Sequence, residues 1–205
     1  MKKVSRNIKT SRILICLLLL IVVACLLVFG GCTDKQKKEM FNKYGKEKAY
    51  TTYNGQIRHA TSKVSYYLDP SVTGYYREAV LNAISEANKL TNAVSVSTTS
   101  NSNSAFVIKV KNAGKTGWVG VNVSNASSVI TKSEITLNTY YLNNFSLNMI
   151  KEVAIHEIGH TFGLADLSAK DLVKYSVMYM SADSTYIFTK YQEFDKANID
   201  WYYNK

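Results

Sequence analysis

The chain has 205 residues, of which 46% are hydrophobic, and a formal net charge of +10, so it is long enough for one domain with a substantial core. Five of the 25 basic residues and none of the acids lie in residues 1–32, which leaves 20 basic and 15 acidic residues, or +5, for residues 33–205. A surplus of that size does not indicate a nucleic-acid partner. The three cysteines, Cys16, Cys25 and Cys32, all lie in the N-terminal apolar region, which excludes a disulfide-stapled domain.

Residues 1–32 are predicted to be a membrane-targeting segment. Basic residues precede an unbroken apolar run from Ile13 to Phe29, a pattern that keeps the basic flank inside and exports the rest of the chain. The stretch that ends in Gly31-Cys32 resembles a bacterial lipobox, in which Cys32 is lipidated after cleavage. The alternatives are an uncleaved single span and a secreted signal that removes Cys32. All three place the domain outside the cell, either anchored to the cell membrane or secreted.

Residues 33–55 are polar and charged and are predicted to form a tether, and residues 56–205 the folded domain. Periodicity predicts its elements in chain order: strand 64–69, helix 74–90, strands 93–96 and 105–110, an extended segment 117–123, strand 134–140 with one wet face, a helix from Leu147 into a histidine motif, and a helix at about 192–202. This order is typical of the α+β class. Four residues of the Leu147 helix, Met149, Val153, His156 and His160, share one stripe, which is predicted to be the buried side.

The residues from His156 to Asp166 read H-E-x-x-H-x-x-G-x-x-D. Residues four apart lie on one face of a helix, so His156 and His160 can point at one ion. Gly163 can adopt the left-handed conformation that ends a helix, which lets the chain turn back and bring Asp166 to the same ion. Two nitrogens, one carboxylate oxygen and an open fourth position are typical of a catalytic zinc site. Glu157 is placed to act as general base towards a zinc-activated water.

Two other residues compete for a place among the ligands. Asp171 is the nearest rival to Asp166, but Asp166 has the required spacing. His59 is the third histidine of the chain and is expected to be a surface or hydrogen-bonded histidine rather than a ligand. Tyr179 and Tyr186 are candidates for walling a substrate pocket or stabilising an oxyanion, although packing is the default role for any one of 15 tyrosines.

The domain resembles a metzincin zinc metallopeptidase, with a matrixin-like catalytic domain, over about residues 56–205. The resemblance is carried by Ile135-Thr136-Leu137-Asn138, by Ile155 to Leu164, and by Ser176-Val177-Met178-Tyr179. It implies a metzincin or zincin-like α+β fold with a twisted mixed sheet, an active-site helix, a C-terminal helix and Met178 in a Met-turn beneath the zinc. It also implies that strand 134–140 is the edge along which a peptide substrate lies.

The chain departs from the matrixin pattern in three places. Asp166 replaces the usual third histidine, as in snapalysin-like metzincins, and Met180 stands where many matrixins have proline. A second, structural zinc site would need further histidines, so one catalytic Zn²⁺ is expected, and calcium is unsupported.

The predicted function is that of an exported, membrane-anchored zinc endopeptidase, a monomer that acts on protein or peptide substrates with Glu157 as general base. One alternative is a surface binding or adhesion module that keeps a zinc-stabilised fold without turnover. Another is a metal-dependent hydrolase of non-peptide wall material.

Overall fold

A six-stranded mixed sheet carries two helices that pack on each other. The computed structural model describes residues 52–53, 56–57, 59–127, 129–168, 173–179 and 186–203. The strands are β1 (Thr52–Tyr53), β2 (Gln56–Ile57), β3 (His59–Ala60), β4 (Lys63–Leu68), β5 (Ser95–Thr99), β6 (Phe106–Lys111), β7 (Gly120–Ala126) and β8 (Val129–Asn138). The helices are α1 (Gly74–Ala87), α2 (Thr139–Leu142), α3 (Leu147–Thr161) and α4 (Glu193–Tyr203).

The sheet has the order β3-β8-β6-β4-β5, and β7 is added against β8. All the pairings along that order are parallel, whereas β7 runs antiparallel to β8, from Gly120 opposite Leu137 to Ala126 opposite Ile130. β1 and β2 form a separate antiparallel pair. The combination of a mixed sheet with separate helices confirms the predicted α+β class.

The core lies between the sheet and the helices. α1 and α3 pack on each other through faces that bury small and aliphatic side chains, because apolar residues recur on one side of each helix. The buried set of α1 is Ala79, Val80, Ala83, Ile84 and Ala87, and that of α3 includes Ile150, Ala154, Ile155 and Ile158. α3, which carries the histidine motif, also packs on β7 and β8, so the core fixes the position of the motif.

Strand 134–140 was expected to be an exposed edge with one wet face, and this prediction is wrong. β8 begins at Val129, ends at Asn138, and is paired with β6 on one side and with β7 on the other. Residues Ile135 to Asn138 are all buried, so this end of the strand has no wet face, and α3 packs on β8. The edge strand beside the motif is β7, which pairs with no strand other than β8 among the described residues.

Asn138 explains why the strand ends where it does. Its side-chain oxygen accepts hydrogen bonds from the backbone N–H groups of Ala113 (3.0 Å) and Tyr140 (3.1 Å), the second of which caps α2. Its amide nitrogen donates to the carbonyl oxygen of Gly114 at 3.1 Å and to the hydroxyl of Thr116 at 2.9 Å. One buried amide thereby fixes the loop that leads into β7.

The predicted targeting segment 1–32 and nearly all of the predicted tether lie outside the described residues, as do Asp171 and Met180. The tether range 33–55 does contain β1 near its end. Within the described part of the chain, no helix is long and apolar enough to cross a membrane.

Candidate metal centre

The two histidines stand on the last turns of α3, whose ends are set by its own sequence. The hydroxyl of Ser146 caps the first turn by accepting from the Met149 N–H at 3.4 Å. Gly163 has φ 87°, in the left-handed region, and the N–H of Leu164 returns to the carbonyl oxygen of Gly159 at 3.2 Å. This glycine stop is the predicted one, and it reverses the chain towards the histidines.

Three side chains converge after that turn. Asp166 Oδ1 lies 3.0 Å from His156 Nε2 and 3.4 Å from His160 Nε2. The three candidate ligand atoms all lie within 4.8 Å of one another, and they form the one such cluster of His, Cys, Asp or Glu found in the described part of the chain. The backbone N–H of Leu167 donates to the carbonyl oxygen of Met178 at 2.8 Å, which holds the segment that carries Asp166. The structure therefore brings together the three residues that the spacing singled out.

The other ring nitrogen of each histidine is already engaged. His156 Nδ1 lies 2.9 Å from the carbonyl oxygen of Val177, and His160 Nδ1 lies 2.8 Å from that of Leu164. A carbonyl can only accept, so each Nδ1 carries the proton and donates it. A protonated His156 also donates from Nε2 to Asp166. Loss of that proton leaves the Nε2 lone pair for a metal ion, which is the arrangement that metal-ligating histidines adopt.

The donor set fits a zinc ion. Zinc takes imidazole nitrogen and carboxylate oxygen at about 2.0–2.2 Å in a tetrahedral arrangement, which puts neighbouring ligand atoms about 3.3 Å apart. The separations of 3.0 and 3.4 Å between Asp166 Oδ1 and the two Nε2 atoms agree with that spacing. His156, His160 and Asp166 could therefore hold one ion and leave one coordination position for another ligand.

Electrostatics around the cluster also favour a bound cation. Burial would lower the pKa of His156, but its hydrogen bond to Asp166 and the charge of Glu157 outweigh burial and raise it to about 9. The hydrogen bonds from His156 and His160 hold the pKa of Asp166 well below its usual range. Asp166 is thus anionic near neutral pH, and a metal that binds must displace the proton of His156.

Glu157 lies beneath the edge strand with 5% of its surface exposed. Burial raises the pKa of its carboxyl, while the charges of His156 and His160 lower it and that of Asp166 raises it further. A Cβ atom on Gly120 of β7 would lie 2.6 Å from Glu157 Oε1. A side chain at position 120 would therefore displace the carboxylate, so the glycine allows the strand to pass this close to it.

A buried polar network holds the backbone of Glu157 from behind. The amide nitrogen of Asn122 in β7 donates to the carbonyl oxygen of Glu157 at 2.7 Å and to Thr161 Oγ1 at 3.0 Å. Ser133 of β8 donates to Asn122 Oδ1 at 2.9 Å, and the hydroxyl groups of Tyr66 and Thr161 lie 2.5 Å apart. Three strands, β4, β7 and β8, thereby fix the turn of α3 that carries the general-base candidate.

Met178 packs against the same turn from below. It is 1% exposed, and a Cβ on Gly159 would lie 2.6 Å from its sulfur, so the glycine inside the motif makes room for the methionine. The preceding residues are held by Asp195 of α4, which accepts hydrogen bonds from the Ser176 hydroxyl and from the Val177 N–H. The resemblance placed Met178 under the metal ligands, and its position agrees.

The cluster opens into a cavity of about 490 Å³. β7 forms one wall through residues 120–122, and Tyr179 and Tyr186 both contribute to the lining. Met149, Val153, His156 and His160 line the cavity and are only partly buried. The prediction that this stripe is the buried side of the helix is therefore wrong: Ile150, Ala154 and Ile158 form the buried side, and the stripe faces the cavity.

Sequence reasoning missed four residues of this site: Gly120, Asn122, Glu152 and Asp195. Three of them, Gly120, Asn122 and Asp195, act through contacts between distant segments, and no local sequence pattern marks them. Glu152 could have been found, because it lies four residues before His156 and hence on the same face of α3. His59 is placed on β3 by its backbone, beside Val129, and the side chain is not described.

A comparison of the sequence with models of known protein families and with curated proteins finds no match. Among solved structures, the structure of myroilysin is similar to this chain with a TM-score of 0.48 and 15% sequence identity, over 71% of this chain and 94% of that chain.

Proposed function

We propose that the chain is a zinc-dependent endopeptidase of the metzincin type, with His156, His160 and Asp166 as zinc ligands and Glu157 as general base. The observation that carries the proposal is the convergence of the two Nε2 atoms on Asp166 Oδ1, with the buried Glu157 in the lining of the same cavity. A zinc site that served stability alone would not need that carboxyl, and a free carboxyl at this depth is costly to bury.

A zinc ion held by the three ligands would supply a Lewis acid and lower the pKa of a water molecule to about 7. Glu157 takes a proton from the water that attacks the peptide carbonyl carbon, and returns it to the leaving amine as the C–N bond breaks. The raised pKa of its carboxyl suits a group that must both accept and deliver a proton near neutral pH. The network through Asn122 keeps the base oriented while it does so.

The edge strand β7 is the proposed binding element for an extended substrate. An edge strand exposes unpaired N–H and C=O groups, and a peptide that pairs with them by β-augmentation gains main-chain hydrogen bonds without regard to its sequence. Residues 120–122 of β7 also line the cavity, so a peptide on that edge would run past the ligand cluster. In this proposal the substrate pairs with β7, and not with strand 134–140, for which the resemblance implied that role.

We further propose that the enzyme is exported and anchored to the outer face of the cell membrane by residues 1–32. The support is the basic flank and the apolar run of that segment. Metabolic labelling with a palmitate analogue separates the two modes of anchoring: label that disappears in Cys32→Ala supports a lipoprotein, whereas an unlabelled, uncleaved chain in the membrane fraction supports a single span.

The test of the reaction is Glu157→Ala in the full-length protein. We expect bound zinc to remain stoichiometric by elemental analysis, while cleavage of casein falls by about 100- to 10,000-fold, the range for loss of a general base. The control is Glu134→Ala, which removes an acid of β8 that does not line the cavity. Chelator should abolish wild-type cleavage, and added zinc should restore it.

Equal cleavage by Glu157→Ala and wild type would refute the assigned mechanism. Zinc binding without any chelator-sensitive cleavage by the wild type would favour the non-catalytic binding module instead.

A further inference from the structure

The cavity contains a third carboxylate that the proposed reaction does not use. Glu152, Glu157 and Asp166 all line the cavity, whereas no lysine or arginine is among the described residues that line it. A dication held at the ligand cluster would balance two of these three negative charges. One negative charge remains, in a protein whose formal net charge is +10.

Glu152 lies one helical turn before His156 and lines the cavity. Its neighbours among the lining residues include Met149 and Val153 of α3 and Phe188. Glu152 Oε1 accepts a hydrogen bond from the Phe188 N–H at 3.1 Å. A carboxylate has about four lone-pair sites, so this contact leaves Glu152 with capacity for another donor.

The side chains around Glu152 do not neutralise it. The ion pairs between lysine and acidic side chains in the described part of the chain join Lys89 to Glu86, Lys109 to Glu134 and Lys151 to Glu78. The adjacent Lys151 therefore points its ammonium group at α1, 2.8 Å from Glu78. Burial raises the pKa of Glu152, although the hydrogen bond from Phe188 and the charge of His156 oppose this, so a substrate cation would relieve an unfavourable burial of charge.

We propose that Glu152 selects substrates with a lysine or arginine side chain beside the scissile bond. This inference rests on the proposed peptidase function. Glu157 and Glu152 are separated by about 7.5 Å along the axis of α3. A long cationic side chain that leaves the reaction centre in that direction lays its alkyl stem against Val153 and Phe188 and its charged head against Glu152, which is how lysine and arginine cross apolar surface.

The test compares paired fluorogenic peptides that differ at one position, lysine against norleucine, which has the same carbon chain without the ammonium group. We expect kcat/KM of the wild type to favour the lysine peptide by about tenfold or more, the effect of one hydrogen bond to a charged group. Glu152→Gln keeps an acceptor for the Phe188 N–H but removes the charge, so the lysine-to-norleucine ratio should fall to about one. Glu152→Lys should reverse the preference, towards a matched glutamate peptide.

The control variant is Glu134→Gln, which removes the same charge outside the cavity and should leave the ratio at the wild-type value. If Glu152→Gln lowers cleavage of both peptides equally, Glu152 serves only to hold Phe188, and the proposal is overturned. Chelator-sensitive cleavage without a preference for lysine would also overturn it, while leaving the peptidase function intact.

A binding measurement decides the proposal separately from turnover. Fluorescence anisotropy on zinc-loaded Glu157→Ala should show tighter binding of the lysine peptide than of the norleucine peptide, and the difference should shrink at high salt and vanish in Glu152→Gln/Glu157→Ala. Equal affinities would overturn the role of Glu152. Absence of chelator-sensitive peptide cleavage by the wild type, together with a retained lysine preference in binding, would count against the peptidase function alone.

Discussion

The ligand cluster and the support behind Glu157 belong to one site but are built in opposite ways. The ligand cluster, His156, His160 and Asp166, comes from one short stretch, and its geometry follows from helix spacing and one left-handed glycine. The support consists of Gly120, Asn122, Ser133, Thr161 and Tyr66 around Glu157 and of Asp195 below Met178, and it joins segments that are far apart in the chain.

Because of this difference, we expect the two regions to control different properties of the protein. Changes in the ligand cluster should act on metal affinity, because they remove donor atoms. Changes in the support should leave the donor atoms in place and alter the orientation of Glu157 or the stability of the fold. This division of roles would be contradicted by a ligand-cluster variant with unchanged metal affinity, or by a support variant with reduced metal affinity.

The largest effect is expected for Asp166→Ala. It removes one of three donor atoms, so zinc affinity should fall by more than about 100-fold, beyond what loss of a supporting partner costs. In the wild type, metal must displace the proton of His156, whose pKa is about 9, so zinc affinity should rise about tenfold per pH unit between pH 7 and 9.

The measurement is competition with a chromophoric chelator at several pH values, with Asp200→Ala as a control outside the cavity. The hydrogen bond to Asp166 contributes to the raised pKa of His156, so Asp166→Ala should also level off its pH dependence at a lower pH than the wild type. An unchanged zinc affinity in Asp166→Ala would show that the third ligand lies elsewhere, with Asp171 as the next candidate.

The sequence predicted the ligand cluster because helix periodicity places residues four apart on one face, whatever the rest of the fold does. The same reasoning predicted the bounds of α3 and β4 closely. It failed for β8, because a strand's alternation shows which face is buried but not whether further strands pair with its two edges. It also failed for Asn122 and Asp195, whose partners lie in segments that no local pattern connects to them.

Gly120→Ala should test the support without touching the metal. The added Cβ would lie 2.6 Å from Glu157 Oε1 and 2.8 Å from Val153 Cγ1, so the carboxylate must move. A displacement of about 1 Å can cost on the order of 100-fold in rate, so kcat should fall by about that factor while zinc affinity stays at the wild-type value. Val123→Ala is the matched control, because Val123 lies on the same strand and is 60% exposed. Full activity of Gly120→Ala would mean that the close approach of β7 does not determine where Glu157 acts.

Asp195→Asn should have the smallest effect on the reaction and a measurable one on stability. Burial raises the pKa of Asp195 to about 6, against the hydrogen bonds from Ser176, Gln192 and Val177 that lower it. Because the folded state holds this proton more tightly than the unfolded chain, the contribution to stability is full below about pH 4 and is lost as the pH rises through 6. The full loss is on the order of 3 kcal/mol, since one pKa unit corresponds to about 1.4 kcal/mol. Asparagine at position 195 does not titrate. The free energy of unfolding of Asp195→Asn, measured by urea denaturation of the metal-free protein, should therefore vary less than that of the wild type between pH 4 and 6.

His156 titrates above that range, so it does not obscure the difference. Identical pH profiles for the two proteins would show that Asp195 is ionised throughout. Zinc affinity should stay at the wild-type value, since Asp195 accepts from the Ser176 hydroxyl and from the N–H groups of Val177 and Gln192 and bonds none of the three donor atoms.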